Sequence, residues 1–134
     1  MIVGCNHICL KVADIEASCR FYCGQLGFQR GPEFRDEQGN VVGVYLYISQ
    51  RMFLELFLTD KPLTPFSHYC LEVTDLEGLL ARLRDAGVKT NDVFLGRSKA
   101  LIASIWDPDG HHIELNEFSR PDSWMAQYLA AVTR

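Results

Sequence analysis

Apolar and polar residues alternate in two short stretches, one near each end of the chain, at residues 6–12 and 112–116. Successive side chains of a β-strand point to opposite faces, so this alternation predicts two half-buried strands. The apolar positions that share a face are Ile8, Leu10 and Val12 in the first stretch, and Ile113 and Leu115 in the second. The residues Asp107–Gly110, which precede the second stretch, are typical of a tight turn and predict where that strand begins.

Helical spacing follows the first of these strands. Asp14 is typical of a helix N-cap, apolar residues recur after it at helical intervals, and Gly27 predicts the end of the helix. Three further strands are predicted at 28–35, 41–49 and 52–58. Pro62 and Pro65 then identify residues 59–66 as a linker.

After the linker the same order of elements begins again. Asp75 predicts a second N-cap, and Gly87 predicts the end of the second helix. The strands predicted around this helix are 67–73, 88–95, 100–106 and the closing strand described above. The order β-α-β-β-β therefore occurs twice, which predicts an α+β fold of two tandem modules, at about 4–58 and about 67–118. Apolar residues at helical spacing predict a C-terminal helix at about 121–133.

Two histidines and two glutamates occupy equivalent positions in the two modules. His7 and His68 each lie in a first strand, seven residues before the Asp that caps the helix. Glu55 and Glu114 each lie in a last strand. All four lie on the strand face opposite the apolar row, which is the face that the helices leave uncovered. A carboxylate flanked by apolar residues in such a strand needs a partner charge or a metal ion.

The single residues also have simpler interpretations. Considered alone, either histidine fits an ordinary hydrogen-bonded side chain. Glu55 considered alone fits a buried ion pair with Lys11 or Arg51. A metal site built from Cys5, His7 and Cys9 is disfavoured, because side chains two apart on a strand stand about 6–7 Å from each other. Four matched positions in a repeat favour a common site over these alternatives.

Composition narrows the class of protein. The chain has 134 residues, of which 48% are hydrophobic, so it can bury the core of one compact domain. Its net charge of −4 argues against nucleic acid as a partner. Neither a membrane span nor a signal peptide is evident, so we expect a cytoplasmic protein without membrane association. Five cysteines without a CxxC motif predict reduced thiols and not a disulfide framework.

A series of short motifs runs through both modules. They are Asn6-His7-Ile8, Phe21-Tyr22 before Leu26-Gly27-Phe28, Phe53-Leu54-Glu55-Leu56, Ser67-His68-Tyr69, and Asp107–Gly110 before Ile113-Glu114-Leu115. In order and spacing they resemble the vicinal oxygen chelate superfamily, which contains glyoxalase I, methylmalonyl-CoA epimerase, extradiol dioxygenases and the fosfomycin and bleomycin resistance proteins. The resemblance implies that the paired modules form an open, barrel-like cup around one divalent ion.

The resemblance implies that His7, Glu55, His68 and Glu114 bind this ion, with Zn, Ni, Co, Mn or Fe as candidates. It further implies a lyase or isomerase resembling glyoxalase I, in which a proton moves through an enediolate held on the metal. Glu114 is the first candidate for the base that moves this proton, and Glu55 is the second. Small family members usually pair, so we expect a homodimer, with the four ligands drawn from one chain or from two.

The expected substrate is a small 2-oxo or 2-hydroxy carbonyl compound, with a thiol adduct as one form of it. Lys11 stands where glyoxalase I has an arginine, which puts glutathione itself in question. Other side chains expected to line a substrate pocket, with core packing or a solvated loop as the alternative, are Tyr45, Tyr47, Phe53, Phe57, Arg97, Lys99 and His112. His111 points away from the face of its neighbour His112, and we expect it to be solvated.

Two rival functions stay open at this point. An Fe(II)-dependent extradiol-type dioxygenase needs two histidines and one carboxylate, which His7, His68 and Glu114 supply with Glu55 as a bystander. A fourth ligand at Glu55 favours proton transfer on a non-redox metal. The second rival is a resistance protein that binds a small molecule without turnover, and such a binder has no need of an intact ligand set.

Overall fold

A computed structural model of the chain describes residues 7–50, 52–61, 68–96 and 98–132. The chain divides into two compact units, Met1–Pro65 and Phe66–Arg134, and each unit is built around its own mixed sheet.

Unit 1 is a four-stranded sheet with one helix. In chain order its elements are β1 (His7–Val12), α1 (Ile15–Tyr22), β2 (Gln29–Arg35), β3 (Val41–Ser49) and β4 (Met52–Leu58). The strand order is β1-β4-β3-β2, in which β1 runs parallel to β4 and the other pairs are antiparallel. The parallel pairing brings the first and last strands of the unit side by side.

The core of unit 1 lies between α1 and the sheet. Asp14 caps α1, since its carboxylate accepts a hydrogen bond from the backbone N–H of Ala17 at 2.9 Å. Such a cap contributes about 1 kcal/mol to helix stability. Leu54 and Leu56 of β4 are fully buried on the helix side of the sheet, and burying each leucine contributes about 2 kcal/mol. The alternation in β4 therefore turns Glu55 to the other side.

Unit 2 repeats this plan and adds a C-terminal helix. Its elements are β5 (Tyr69–Glu72), α2 (Leu76–Asp85), β6 (Phe94–Leu95), β7 (Leu101–Trp106), β8 (His112–Glu117) and α3 (Trp124–Val132). The strand order is β5-β8-β7-β6, and β5 runs parallel to β8, the last strand of the unit along the chain. Ile113 and Leu115 of β8 are fully buried, as are Leu80 and Leu83 of α2.

The predicted α+β fold of two βαβββ modules is confirmed, including both Asp-capped helices. Gly27 and Gly87 act as helix stops, because each adopts a positive φ, of 76° and 77°, in the turn after its helix. No helix among the described residues has the length and apolar character needed to cross a membrane.

The predicted strand 88–95 is mostly wrong, since only Phe94–Leu95 forms a strand. Asn91 interrupts the ladder: its side-chain oxygen accepts the backbone N–H of Ser104 at 2.5 Å, which takes the place of a backbone partner. Thr90 makes an isolated bridge to Ile105.

The C-terminal helix begins at Trp124 and not near residue 121. The hydroxyl of the buried Ser123, which precedes the helix, accepts a hydrogen bond from the backbone N–H of Ala126 at 3.5 Å.

Candidate metal centre

In unit 1 the paired strands β1 and β4 bring His7 and Glu55 together. Cys9 lies opposite Glu55 in the parallel ladder, so His7 lies diagonally across from the carboxylate. The distance from His7 Nε2 to Glu55 Oε2 is 3.9 Å, and we call these two residues the unit 1 pair. The Glu55 side chain is nearly buried, with 11% of it exposed, whereas 39% of the His7 side chain is exposed.

In unit 2 the strands β5 and β8 repeat this arrangement. Cys70 lies opposite Glu114 in the ladder, and His68 precedes β5 by one residue, so the diagonal relation is the same. The distance from His68 Nε2 to Glu114 Oε2 is 3.6 Å, and these residues form the unit 2 pair. The Glu114 side chain is 24% exposed, twice the fraction of its counterpart in unit 1.

The two distances are too long for direct hydrogen bonds and are compatible with two ligands of one metal ion. A hydrogen bond between nitrogen and a carboxylate oxygen spans about 2.7–3.2 Å, and both distances are longer. Two ligand atoms at about 2.1 Å from one ion lie at most about 4.2 Å apart, and both distances fall below this limit. Imidazole nitrogen and carboxylate oxygen are also a donor set that borderline divalent ions accept. Each pair can therefore hold two coordination positions of one ion.

Protein donors surround the carboxylate of the unit 1 pair. Tyr45 of β3 lies directly opposite Glu55, and the interaction of its hydroxyl with the carboxylate raises the pKa of the Tyr45 hydroxyl. Cys9 lies opposite Glu55 on the other side; desolvation raises the pKa of its thiol, and its hydrogen bond to Glu55 adds to this. Glu55 is thus held between two neighbouring strands by groups that remain protonated.

The carboxylate of the unit 2 pair has different neighbours. Ser104 of β7 lies opposite Glu114, but its hydroxyl is hydrogen-bonded to His112 Nε2 at 2.8 Å. Desolvation, followed by the negative charge of Glu114, raises the pKa of Cys70 to about 11. The position that supplies a tyrosine donor in unit 1 therefore serves another histidine in unit 2.

Aromatic side chains surround the unit 1 pair on its face of the sheet. Phe53 packs edge-on against both Tyr45 and Tyr47, with centroid distances of 5.7 and 5.6 Å. The ring of Phe57 covers Gly43, where a Cβ atom would come within 2.6 Å of the ring, and the ammonium group of Lys11 lies 5.1 Å from the centre of that ring. These five predicted pocket residues thus share the face that carries Glu55, and their contact with a substrate stays a prediction.

The predicted pocket residues of unit 2 are less closely grouped. His112 stacks on Trp106 at 5.3 Å and lies 5.3 Å from the ring of His68, which places it beside the unit 2 pair. Lys99 is exposed in a turn with a positive φ of 63°. Arg97 lies outside the described residues.

His111 is buried, with 6% exposed, so the prediction that it is solvated is wrong. It belongs to a cluster of three possible metal ligands, since one ligand atom from each of Asp107, Asp109 and His111 lies within 4.8 Å of the others. The sequence pattern predicted only a turn at this position. The Asp-x-Asp-x-His spacing was the available signal for the cluster. Asp107 Oδ1 accepts the backbone N–H groups of Asp109 and His111 at 3.0 and 2.8 Å, so closing the turn accounts for the burial of this carboxylate.

Comparison with known proteins addresses the family of the chain. The model of the Glyoxalase/Bleomycin resistance protein/Dioxygenase superfamily matches residues 4–115. A probable lactoylglutathione lyase of Synechocystis sp. is 30% identical over 123 residues, which cover 84% of this chain and 94% of that protein. An ethylmalonyl-CoA/methylmalonyl-CoA epimerase of Cereibacter sphaeroides is 30% identical over 101 residues, which cover 66% of this chain and 75% of that protein.

Solved structures share the fold at lower identity. The fosfomycin resistance protein FosX of Listeria monocytogenes superposes with a TM-score of 0.74 and 16% sequence identity, covering 92% of this chain and 99% of that one. At this identity the likeness concerns the fold alone, and one fold can carry many different functions.

Proposed function

Because this chain belongs to the Glyoxalase/Bleomycin resistance protein/Dioxygenase superfamily, we propose that it is a metal-dependent lyase or isomerase of the glyoxalase I type. We propose that His7, Glu55, His68 and Glu114 jointly bind one divalent ion, drawn from Zn, Ni, Co, Mn or Fe. The observation that carries this proposal is the repetition of one geometry: in each unit an imidazole and a carboxylate lie too far apart for a hydrogen bond and close enough to share an ion.

The reaction proposed is transfer of a proton between neighbouring carbons of a 2-oxo or 2-hydroxy carbonyl compound. A divalent ion held by these residues would polarise the carbonyl oxygen and make the adjacent C–H bond more acidic. Glu114 would remove this proton: the electrons of the C–H bond form the carbon–carbon double bond of an enediolate, and the π electrons of the carbonyl group move to its oxygen. The protonated Glu114 would then return the proton to the neighbouring carbon, while the proton of the substrate hydroxyl passes to the oxygen of the former carbonyl, so the product is an isomer of the substrate.

Glu114 is better suited than Glu55 to act as this base. A general base must approach the carbon atom and change its protonation state, so it needs access and few competing donors. Glu114 has the larger exposed fraction, 24% against 11%. Glu55 already interacts with the Tyr45 hydroxyl and the Cys9 thiol, which fix the orientation of its carboxylate. We therefore assign Glu55 the role of a permanent ligand.

The substrate is proposed to be an adduct of a carbonyl compound with a thiol, or a related thioester. The names of both relatives, a lactoylglutathione lyase and an acyl-CoA epimerase, support this class. Lys11, next to Phe57, supplies a positive charge near the edge of the aromatic side chains. This charge suits an anionic group on the substrate.

A homodimer is also proposed. Trp124 and Met125 of α3 are 62% and 44% exposed, and Phe94 and Leu95 of β6 are 48% and 49% exposed, which is unusual for large apolar side chains. Light scattering on the purified chain tests this, since a monomer at micromolar concentration would contradict it.

The function is tested by metal analysis together with an assay of hemithioacetal isomerisation with several thiols and of acyl-CoA epimerisation. We expect one divalent ion per chain and turnover that a chelator abolishes. Oxygen consumption with catechols would instead identify a dioxygenase, and tight binding of a small molecule without turnover would identify a resistance protein. A protein without metal after incubation with each candidate ion would overturn the proposal.

A further inference from the structure

Tyr45 contacts both members of the unit 1 pair. It lies in β3 directly opposite Glu55 of β4, on the same face of the sheet, and its hydroxyl interacts with that carboxylate. Its ring also meets the ring of His7 edge-on, with the centroids 5.7 Å apart and the planes at 69°. One side chain therefore touches the nitrogen-bearing ring and the carboxylate of the same pair.

The ring of Tyr45 is itself held on two sides. Phe34 of β2 packs against it at 5.3 Å, and Phe53 of β4 packs against it edge-on at 5.7 Å. Aromatic contacts of this kind restrict the side-chain torsions of a half-buried tyrosine. The direction of the hydroxyl is consequently set by packing before any ligand binds.

In unit 2 the residue opposite the carboxylate is not a tyrosine. The residue opposite Glu114 is Ser104, which has no ring, and its hydroxyl is hydrogen-bonded to His112 at 2.8 Å. The difference lies at one equivalent position of two otherwise matched strand ladders. It is therefore specific to the unit 1 pair and not a property that the repeat imposes.

We propose that Tyr45 is a positioning residue that orients His7 and Glu55 for metal binding, an inference that rests on the proposed metal-dependent function. Its hydroxyl fixes one oxygen of Glu55, and its ring limits the rotation of the His7 imidazole. Hydrogen bonds to ligating carboxylates commonly change metal affinity by about 10- to 100-fold. The unit 1 pair thus acts as a preorganised half of the centre.

The test compares Tyr45→Phe with Tyr47→Phe. Tyr47 lies two residues further along β3 on the same face, where it pairs with Phe53 and not with Glu55. Both variants keep the ring and lose only a hydroxyl, so both are expected to fold with unchanged thermal unfolding midpoints in the metal-free form. The probe is Co²⁺ alone, measured by calorimetric titration and by its visible d–d absorption.

We expect Tyr45→Phe to bind Co²⁺ at least tenfold more weakly and to change the d–d spectrum, while Tyr47→Phe matches the wild type in both measurements. Equal affinities and spectra for all three proteins would overturn the role of Tyr45 and leave the proposed function intact. Equal losses in both variants would also overturn it, since the effect would then not depend on Glu55. Failure of the wild type to bind Co²⁺ would overturn the proposed function, and the inference with it.

Discussion

The unit 1 pair and the unit 2 pair have the same backbone geometry and different surroundings. In both, a histidine lies diagonally across a parallel ladder from a glutamate, with a cysteine directly opposite the carboxylate. In unit 1 the carboxylate is enclosed by Tyr45 and Cys9 among aromatic rings, and in unit 2 it is more exposed beside Ser104 and His112. The repeat thus preserves the proposed ligands, while the neighbours on β3 and β7 give the two carboxylates different surroundings.

The largest effect is expected from replacing each glutamate in turn by glutamine, which removes the negative charge. Glu114→Gln should lower the rate of proton exchange with solvent by roughly 10²- to 10⁴-fold while most of the metal stays bound, because the base is lost and the other ligands remain. Glu55→Gln should instead lower metal affinity. The measurement is solvent deuterium incorporation alongside elemental analysis.

Glu77→Gln on the exposed face of α2 serves as the control for both carboxylate variants and should behave as the wild type. Full turnover by Glu114→Gln would remove the distinction between the two carboxylates.

Metal content should depend on the histidines of both pairs. His68→Ala and His7→Ala should each reduce the bound metal from one ion per chain to a small fraction, because each removes one neutral nitrogen ligand. Elemental analysis after gel filtration measures this. If either variant kept one ion per chain, the histidine replaced in it would not be a ligand. The other pair would then be sufficient for metal binding.

The thiol beside Glu114 should react slowly in the metal-free protein. The pKa of Cys70 is raised from 9.0 to about 11, so at pH 8 its thiolate fraction is about a hundredfold below that of an unperturbed cysteine. Because only the thiolate reacts, the rate of alkylation should rise with pH until it levels off above pH 11. Mass spectrometry of iodoacetamide-labelled peptides provides the rate.

Glu114→Gln removes a negative charge next to the thiol, so it should accelerate the alkylation of Cys70 at pH 8. An unchanged rate would indicate that the carboxylate does not act on this cysteine.

The smallest effect is expected at the turn before β8. Asp107→Ala should lower the free energy of unfolding by about 1–3 kcal/mol, because the backbone N–H groups of Asp109 and His111 lose their acceptor. Urea denaturation measures this change. Metal content should stay at the wild-type value. Loss of the metal would mean that the Asp107, Asp109 and His111 cluster, and not the two pairs, holds the ion.

Much of this arrangement was predictable because it depends on local periodicity. The alternation of apolar residues in β4 and β8 correctly placed Glu55 and Glu114 on the face away from the buried leucines. The seven-residue spacing from each histidine to its capping aspartate correctly aligned the two modules. The exposure of His111 and the strand at 88–95 were predicted wrongly, because a tight turn and an asparagine side chain replaced the regular pattern.

The sequence by itself determined the repeat, the capped helices and the identity of the two His–Glu pairs, since a period of two residues assigns each side chain to a face. Only the tertiary structure decided which side chains meet across neighbouring strands. Strand register sets the 3.9 and 3.6 Å distances, places Tyr45 against Glu55, and gives Ser104 to His112. Register arises from hydrogen bonds between segments that are distant along the chain, so it becomes visible only in the folded sheet.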